Sequence, residues 1–266
     1  MPILEAILIA VVQGLTELFP VSSLGHAVIL PALLGSSLDE SAPTFLPFLV
    51  VLHLGTSLAL LAYFWRSWVG FAGSVIGLNA GRQAENRRLF FLVCLGTLPA
   101  VILGFALEKF FHHLFSSPVI VSIVLILNGC LLFFGERVKN RAGEKTLEDL
   151  RWPQALLIGL FQCLALIPGF SRSGATMVGG ILCGLKTDNS ARFSFLLATP
   201  VIIGAAVLEL PKVHAQREAF SGPALLAGLV AGLVAYASVA FLMRFFKKHE
   251  FHGLTPFAIY CWCSGA

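Results

Sequence analysis

The stretch QGLTELFPVSSLGHA (13–27) decides how the chain is read. It sits in an apolar run from about 3 to 35, yet it places Glu17, a proline, two serines and His26 where lipid tails would be. The same break recurs. At an offset of 149 residues, QCLALIPGFSRSGAT (162–176) aligns with it without gaps, Gln13 matching Gln162, Leu15 Leu164, Ser22 Ser171 and Gly25 Gly174. This second piece interrupts another apolar run, about 153–185. The breaks themselves, FPVSSLGH (19–26) and PGFSRSG (168–174), combine Pro, Gly and clustered Ser, which favour turns and caps over continuous helix. Irregular backbone at membrane depth persists only where it is buried in protein or lines a wet cavity.

Composition sets the context. The 266 residues are 57% apolar and 12% charged, with a mean hydropathy of +0.87. Soluble domains carry about 25% charged residues, so the chain is an integral membrane protein. Uninterrupted apolar spans run roughly 45–65, 89–107, 118–134, 193–210 and 223–246, each near the length of about 20 residues that crosses a bilayer. Glu5 interrupts the first apolar run and no basic region precedes it, so no cleavable signal peptide is expected. The net charge of +4 reads as topology and not as a nucleic-acid signature. Cys94, Cys130, Cys163 and Cys183 are scattered one to a segment, and the C-x-C of Cys261 and Cys263 lacks matching partners, so neither zinc nor a disulfide framework is indicated.

Lys and Arg distribution decides whether the second broken region crosses the membrane and says little about the first, which nothing basic precedes. If both are re-entrant, the inside connectors 66–88, 135–152, 186–192 and 244–253 hold fourteen basic residues, and the outside connectors 36–44, 108–117 and 211–222 hold three. Letting the second region cross reduces the split to eleven against six. The positive-inside rule favours the re-entrant reading. The expected fold class is therefore all-α: a polytopic membrane protein of inverted-topology repeats, each with a re-entrant broken-helix hairpin, plus five to six transmembrane helices. The first repeat spans 1–134 and the second 153–266, within a single membrane domain, and the charged stretch 135–152 forms a cytoplasmic connector. Broken helices of such repeats meet near the midplane and build the site there.

The chemistry of the breaks points to an anion. Each hairpin's second half-helix starts just after its break, so its N-terminal amides and dipole favour negative charge. Ser22 or Ser23 can cap the first of these helices, Ser171 or Ser173 the second. Arg172 is the only Lys or Arg expected at membrane depth, and its planar fork suits phosphate. Glu17 lies one turn after Gln13 on the same face. If Ser23 caps, His26 falls three residues on, giving hydroxyl, imidazole and carboxylate as nucleophile, base and orienter. Beside an anion site, that set suggests phosphoryl transfer. Taken singly, each residue has a plainer reading. The serines cap helices, His26 packs, Glu17 neutralises Arg172, Gln13 and Gln162 bond between helices, and Thr176 is a helix threonine and not a phosphate donor. The combination at two matching breaks argues against the plain account. His53, in a spanning helix, reads as packed, and Asn128 as interhelical glue.

The segments VVQGLTELFPVSSLGH (11–26), QCLALIPGFSRSGATMVGG (162–180), FSFLLATPVIIGA (193–205) and PFAIY (256–260) resemble those of the bacterial undecaprenyl-diphosphate phosphatase (bacitracin-resistance) family, over nearly the whole chain. The resemblance implies a multi-pass enzyme of the bacterial cytoplasmic (inner) membrane. It would hydrolyse undecaprenyl diphosphate to the monophosphate carrier for peptidoglycan and other envelope polymers, and oppose bacitracin. On these motifs Glu17, Ser23, His26 and Arg172 are the expected catalytic residues. Gln13, Ser22, Gly25, Ser171, Ser173, Gly174 and Thr176 are the expected substrate contacts. The expected mechanism has Ser23 attack phosphorus, with His26 as nucleophile or water base the open variant. A divalent cation, Mg²⁺ or Ca²⁺, is implied, but Gln13 stands where many members carry Glu, which leaves Glu17 the only strong ligand. The expected partners are a polyprenyl diphosphate lipid, the surrounding membrane lipid and a second copy in a homodimer, with no nucleic acid. After Gly253 the remaining segment is short where family members continue into a closing apolar helix, and Cys261 stands where Arg commonly follows the Tyr.

Two other classes share parts of this pattern. The type 2 phosphatidic acid phosphatases share a faint SSLGH and SR, but their required His falls at Val178 and their Asp at Leu182. That reading fails. A transporter or flippase for a polyprenyl phosphate lipid also uses inverted repeats and a midplane anion site, but has no evident need for Glu17 beside His26.

Overall fold

The computed structural model describes residues 3–34, 45–77, 83–112, 117–139, 145–214, 222–250 and 252–266. The connector 36–44, and parts of 66–88, 108–117, 135–152 and 211–222, lie outside the described residues. In chain order the helices are α1 (Ile3–Thr16), α2 (Ser23–Leu34), α3 (Phe45–Tyr63), α4 (Trp65–Val75), α5 (Gln83–His112) and α6 (Pro118–Lys139). They continue with α7 (Trp152–Gln162), α8 (Arg172–Leu182), α9 (Thr187–His214), α10 (Gly222–Lys248) and α11 (Thr255–Gly265). Among the described residues there is no strand, only an isolated bridge between Lys145 and Leu185.

The apolar runs become long helices, as their length requires. Four stretches, Gln83–Ala106, Pro118–Val138, Thr187–Leu208 and Gly222–Lys248, are long and apolar enough to cross a membrane. A fifth arises if α3 and α4 are taken as one span, bent by 76° at Phe64. The sequence suggests a straight span ending near residue 65 and a plain connector after it; instead α4 turns away with Trp65, Val69 and Val75 exposed and Phe71 buried. Large apolar side chains such as Leu58, Phe105, Ile123, Leu233 and Phe241 are exposed. Apolar surface on this scale marks a membrane-facing exterior. The protein is multi-pass.

Both breaks form helix–break–helix hairpins. Helix stops after Thr16 and after the 3₁₀ turn Cys163–Leu166, and in each case the half-helices on either side of the break pack against each other. Ser22 and Ser171 start the second half-helices in the same way. Gly25 N–H donates to Ser22 Oγ at 3.2 Å, and Gly174 N–H donates to Ser171 Oγ at 3.2 Å. These are the matched positions of the two segments, so the internal alignment is also a geometric one.

The packing repeats the pattern. α1 and α3 lie against α10, while α7 and α9 lie against α5. In each set glycines let backbones touch: Gly55 of α3 meets the Gly228 carbonyl of α10, and Gly159 of α7 meets the Gly96 carbonyl of α5. Such small-residue contacts are how helices approach closely where lipid offers no hydrophobic drive. The hairpin tips meet at the centre, where Gly25 faces the Gly169 backbone and Gly174 faces Pro20. At the far end the buried Glu136 carboxylate accepts from His252 N–H (2.7 Å) and Leu254 N–H (2.6 Å), anchoring the start of α11 against α6.

Candidate active site

The two breaks are tied together before any ligand is considered. Asn128 on α6 donates through Nδ2 to the Pro20 carbonyl at 3.0 Å, and its Oδ1 accepts from Ser171 N–H at 3.0 Å. Ser173 Oγ donates to the Phe19 carbonyl at 3.1 Å. Turn backbone that would be orphaned at this depth is thus satisfied from the other hairpin, as a dry interior demands. Ser22 holds a left-handed backbone, φ 67°, that few non-glycine residues adopt.

Beside this junction lies a cavity of about 330 Å³. Its polar end is formed by Glu17, Ser22, Ser23, His53, Ser171 and Arg172, and its remaining wall is mostly apolar, with Leu49, Val50, Ala100, Ala205 and Ala206 among the lining residues. Ser23 and Arg172 are the first residues of α2 and α8, so two helix N-termini reach the cavity wall.

Glu17 is the hub. Its Oε1 accepts from Arg172 Nη2 at 3.0 Å. Its Oε2 accepts from Ser23 Oγ at 2.7 Å and from Gln13 Nε2 at 3.0 Å, with His53 Nε2 at 3.5 Å. The Glu17 side chain is 6% exposed and that of Arg172 12%. Arg172 Nη1 is buried with no hydrogen-bond partner among the described residues. An orphaned guanidinium donor at a cavity wall is a ready place for an anionic oxygen.

The expected residues therefore divide. Glu17, Ser22, Ser23, Ser171 and Arg172 come together at the cavity, and Gln13 supports Glu17 from behind. Gly25, Ser173 and Gly174 do not line it; they build the junction and the caps. Thr176 does not line it either: its Oγ1 sits 2.6 Å from Ser194 Oγ of α9 and within reach of the Arg172 and Ser173 carbonyls. Helical spacing put Thr176 one turn from Arg172, but the neighbouring helix claims its hydroxyl. His26 also departs from the expected triad. Its Nδ1 bonds the Ser22 carbonyl at 2.7 Å and its Nε2 meets Tyr260 Oη at 2.7 Å, with the rings stacked. It is absent from the cavity wall. The imidazole at the wall is His53, which sequence reasoning set aside as packing, and Gln162, set aside as glue, also lines the cavity. No periodicity in α3 distinguishes His53; only its position across the first hairpin does.

The residues present do not fit a resident divalent ion. Among the described residues no cluster of three or more His, Cys, Asp or Glu forms. The single carboxylate already faces a guanidinium, and Gln13, in the place of a second carboxylate, donates its amide N–H to Glu17 Oε2. Oxygen-rich cages for Mg²⁺ or Ca²⁺ need several such ligands.

These features define a polytopic helical membrane protein with a buried Glu17–Arg172 cluster beside a cavity at two joined helix breaks. The family described as "Bacitracin resistance protein BacA" matches residues 6–266, and the chain belongs to that family. Among relatives, an "Undecaprenyl-diphosphatase" of Acidiphilium cryptum is 50% identical over 99% of this chain and 95% of its own length. One of Granulibacter bethesdensis is 49% identical over 98% and 94%. An "Undecaprenyl-diphosphatase 2" of Chromobacterium violaceum is 52% identical over 97% and 94%.

Proposed function

We propose that this chain is a membrane phosphatase that hydrolyses undecaprenyl diphosphate to undecaprenyl phosphate and inorganic phosphate. It acts in the bacterial cytoplasmic membrane, recycles the lipid carrier for peptidoglycan and other envelope polymers, and confers bacitracin resistance. The observation that carries the reading is the Ser23–Glu17–Arg172 cluster: a hydroxyl hydrogen-bonded to a carboxylate beside a guanidinium with a free donor. The apolar remainder of the cavity suits the proximal isoprene units. The matched hairpins and matched packing support reading 1–134 and 153–266 as two repeats of inverted topology.

In this proposal the terminal phosphate lies against Arg172 and the starts of α2 and α8. Ser23 Oγ attacks the terminal phosphorus; the Oγ–P bond forms as the bond from phosphorus to the bridging oxygen breaks, and undecaprenyl phosphate leaves. The hydroxyl proton moves to Glu17 Oε2. Water then attacks the phosphoserine, the P–Oγ bond breaks, inorganic phosphate departs and Ser23 regains a proton. Arg172 holds equatorial oxygens whose charge rises in the transition state.

The test is phosphate release from undecaprenyl diphosphate by the purified protein in detergent, beside Ser23→Ala and Glu17→Gln. Release by wild type and a loss of about 10³-fold or more in both variants is expected, since nucleophile and partner act as a unit. Binding of the lipid without hydrolysis by folded wild type would replace the phosphatase with the transporter.

A further inference from the structure

We infer that His53 is the imidazole of this site and that its Nε2 takes over the Ser23 proton from Glu17; the inference rests on the phosphatase reading. It follows from which nitrogens are free. A neutral imidazole has one donor and one acceptor nitrogen. In His53, Nδ1 lies 2.8 Å from the Leu49 carbonyl, which can only accept, so Nδ1 carries a hydrogen, and in the neutral ring Nε2 then keeps its lone pair. That lone pair is 3.5 Å from Glu17 Oε2, the oxygen bonded to Ser23. The side chain is 24% exposed and lines the cavity.

His26 has the same internal bond, Nδ1 to the Ser22 carbonyl, but its Nε2 is met by the Tyr260 hydroxyl. Both of its nitrogens are occupied and it is 6% exposed. Of the two imidazoles near the first hairpin, only His53 turns an unbonded basic nitrogen toward the reacting groups.

The chemistry needs such an acceptor. A proton held on Glu17 would leave Arg172 without its counter-charge, whereas a proton on His53 Nε2 converts a contact between two acceptors into an ion pair with Glu17. During attack the Ser23 proton passes to Glu17 Oε2 and on to His53 Nε2, Glu17 returning to the carboxylate. After the phosphoserine is cleaved by water, His53 releases its proton to solvent through the cavity. No bond order or oxidation state changes beyond those of the hydrolysis.

The experiment compares wild type, His53→Ala, His53→Gln and His26→Ala in phosphate release from undecaprenyl diphosphate, with and without imidazole in the buffer, and records each melting temperature. His53→Ala is expected to lose about 10²-fold in kcat with KM changed by no more than about threefold, and to regain about tenfold with imidazole. His53→Gln, which fills the space without a basic nitrogen, is expected to melt like wild type and to stay slow with imidazole present. Imidazole is expected to leave His26→Ala unchanged, because that ring's place is behind Tyr260. Wild-type kcat in both His53 variants overturns the inference and leaves the phosphatase reading standing, as does rescue of His26→Ala in place of His53→Ala. Absence of hydrolysis by folded wild type overturns both.

Discussion

Asn128→Leu tests whether the two hairpins hold each other in register. The substitution nearly conserves volume but removes the donor to the Pro20 carbonyl and the acceptor for Ser171 N–H, both at 3.0 Å and at a residue with no exposed surface. The Cys261 thiol already reaches the same Pro20 carbonyl at 3.9 Å, but a thiol is too weak a donor to replace the amide. Each orphaned buried group costs about 1–3 kcal/mol, so the pair costs about 2–6 kcal/mol. At about 2–4 °C per kcal/mol for a chain of this size, a central value near 3–4 kcal/mol lowers the melting temperature by roughly 6–16 °C. Function should fall further than stability. Pro20 precedes Ser23, and Ser171 precedes Arg172, so parting the tips moves the Ser23 hydroxyl relative to the guanidinium. A misplacement of about 1 Å can cost about 10²-fold in turnover. The assay is a thermal melt in detergent together with phosphate release well below the variant's melting temperature. A variant with lowered melting temperature but wild-type kcat in the cold would show that Asn128 is packing glue and that the tips are registered by other contacts. Wild-type values in both would refute the cross-hairpin account altogether.

Three further outcomes follow from the same geometry. Arg172→Lys keeps the charge but not the fork that holds Glu17 through Nη2 while leaving Nη1 free, and kcat/KM should fall by about 10²–10³-fold; near wild-type kinetics would mean that only a point charge is used. Because no cation cage is built from these residues, Mg²⁺ or Ca²⁺ should neither bind the lipid-free protein in calorimetry nor raise its melting temperature, and a clear shift at sub-millimolar cation would refute the donor-set argument. Glu136→Gln leaves one oxygen to serve the two amides of His252 and Leu254, costing about 1–3 kcal/mol; protease nicking near residue 252 should rise while the Glu17 cluster stays intact, and unchanged cleavage would contradict a clamp at that helix start.

Much of this was legible in the chain because the cues are local. Pro, Gly and Ser at 19–26 and 168–174 demanded breaks; the sequence left each cap between two serines, and the structure selects Ser22 and Ser171, the pair that the internal alignment matches. The cost of a lone buried cation called for an anion beside Arg172, but that Glu17 fills this place was offered by the sequence only as the plainer reading, and the structure shows the pair. What stayed hidden depends on distant elements. Tyr260 reaches His26 across 234 residues of sequence. His53 lies on an apolar helix with no local feature to separate it from a packed histidine, and its meaning comes from α3 passing the first hairpin. Thr176 was placed correctly by helical spacing, yet α9 supplied Ser194 as its partner, which spacing within one helix cannot foresee. The bend at Phe64 has no proline or glycine to announce it.

The orientation of one hydroxyl separates hydrolysis from carriage. A site that only escorts a phosphorylated lipid would point its serine hydrogen at the phosphate, because an anion is bound by donors. Ser23 does otherwise: its single hydrogen is directed to Glu17 Oε2 at 2.7 Å, the shorter of the two hydrogen bonds that oxygen accepts. With its hydrogen on the carboxylate, Oγ presents lone pairs to the cavity, the arrangement an oxygen needs if it is to form a bond to phosphorus. The donors a phosphate requires come from the other hairpin, where Arg172 Nη1 stands buried and unpaired. The roles proposed for Ser23 and Arg172 thus fall on different hairpins, and the Asn128 bridge that joins the hairpins sets the distance between them.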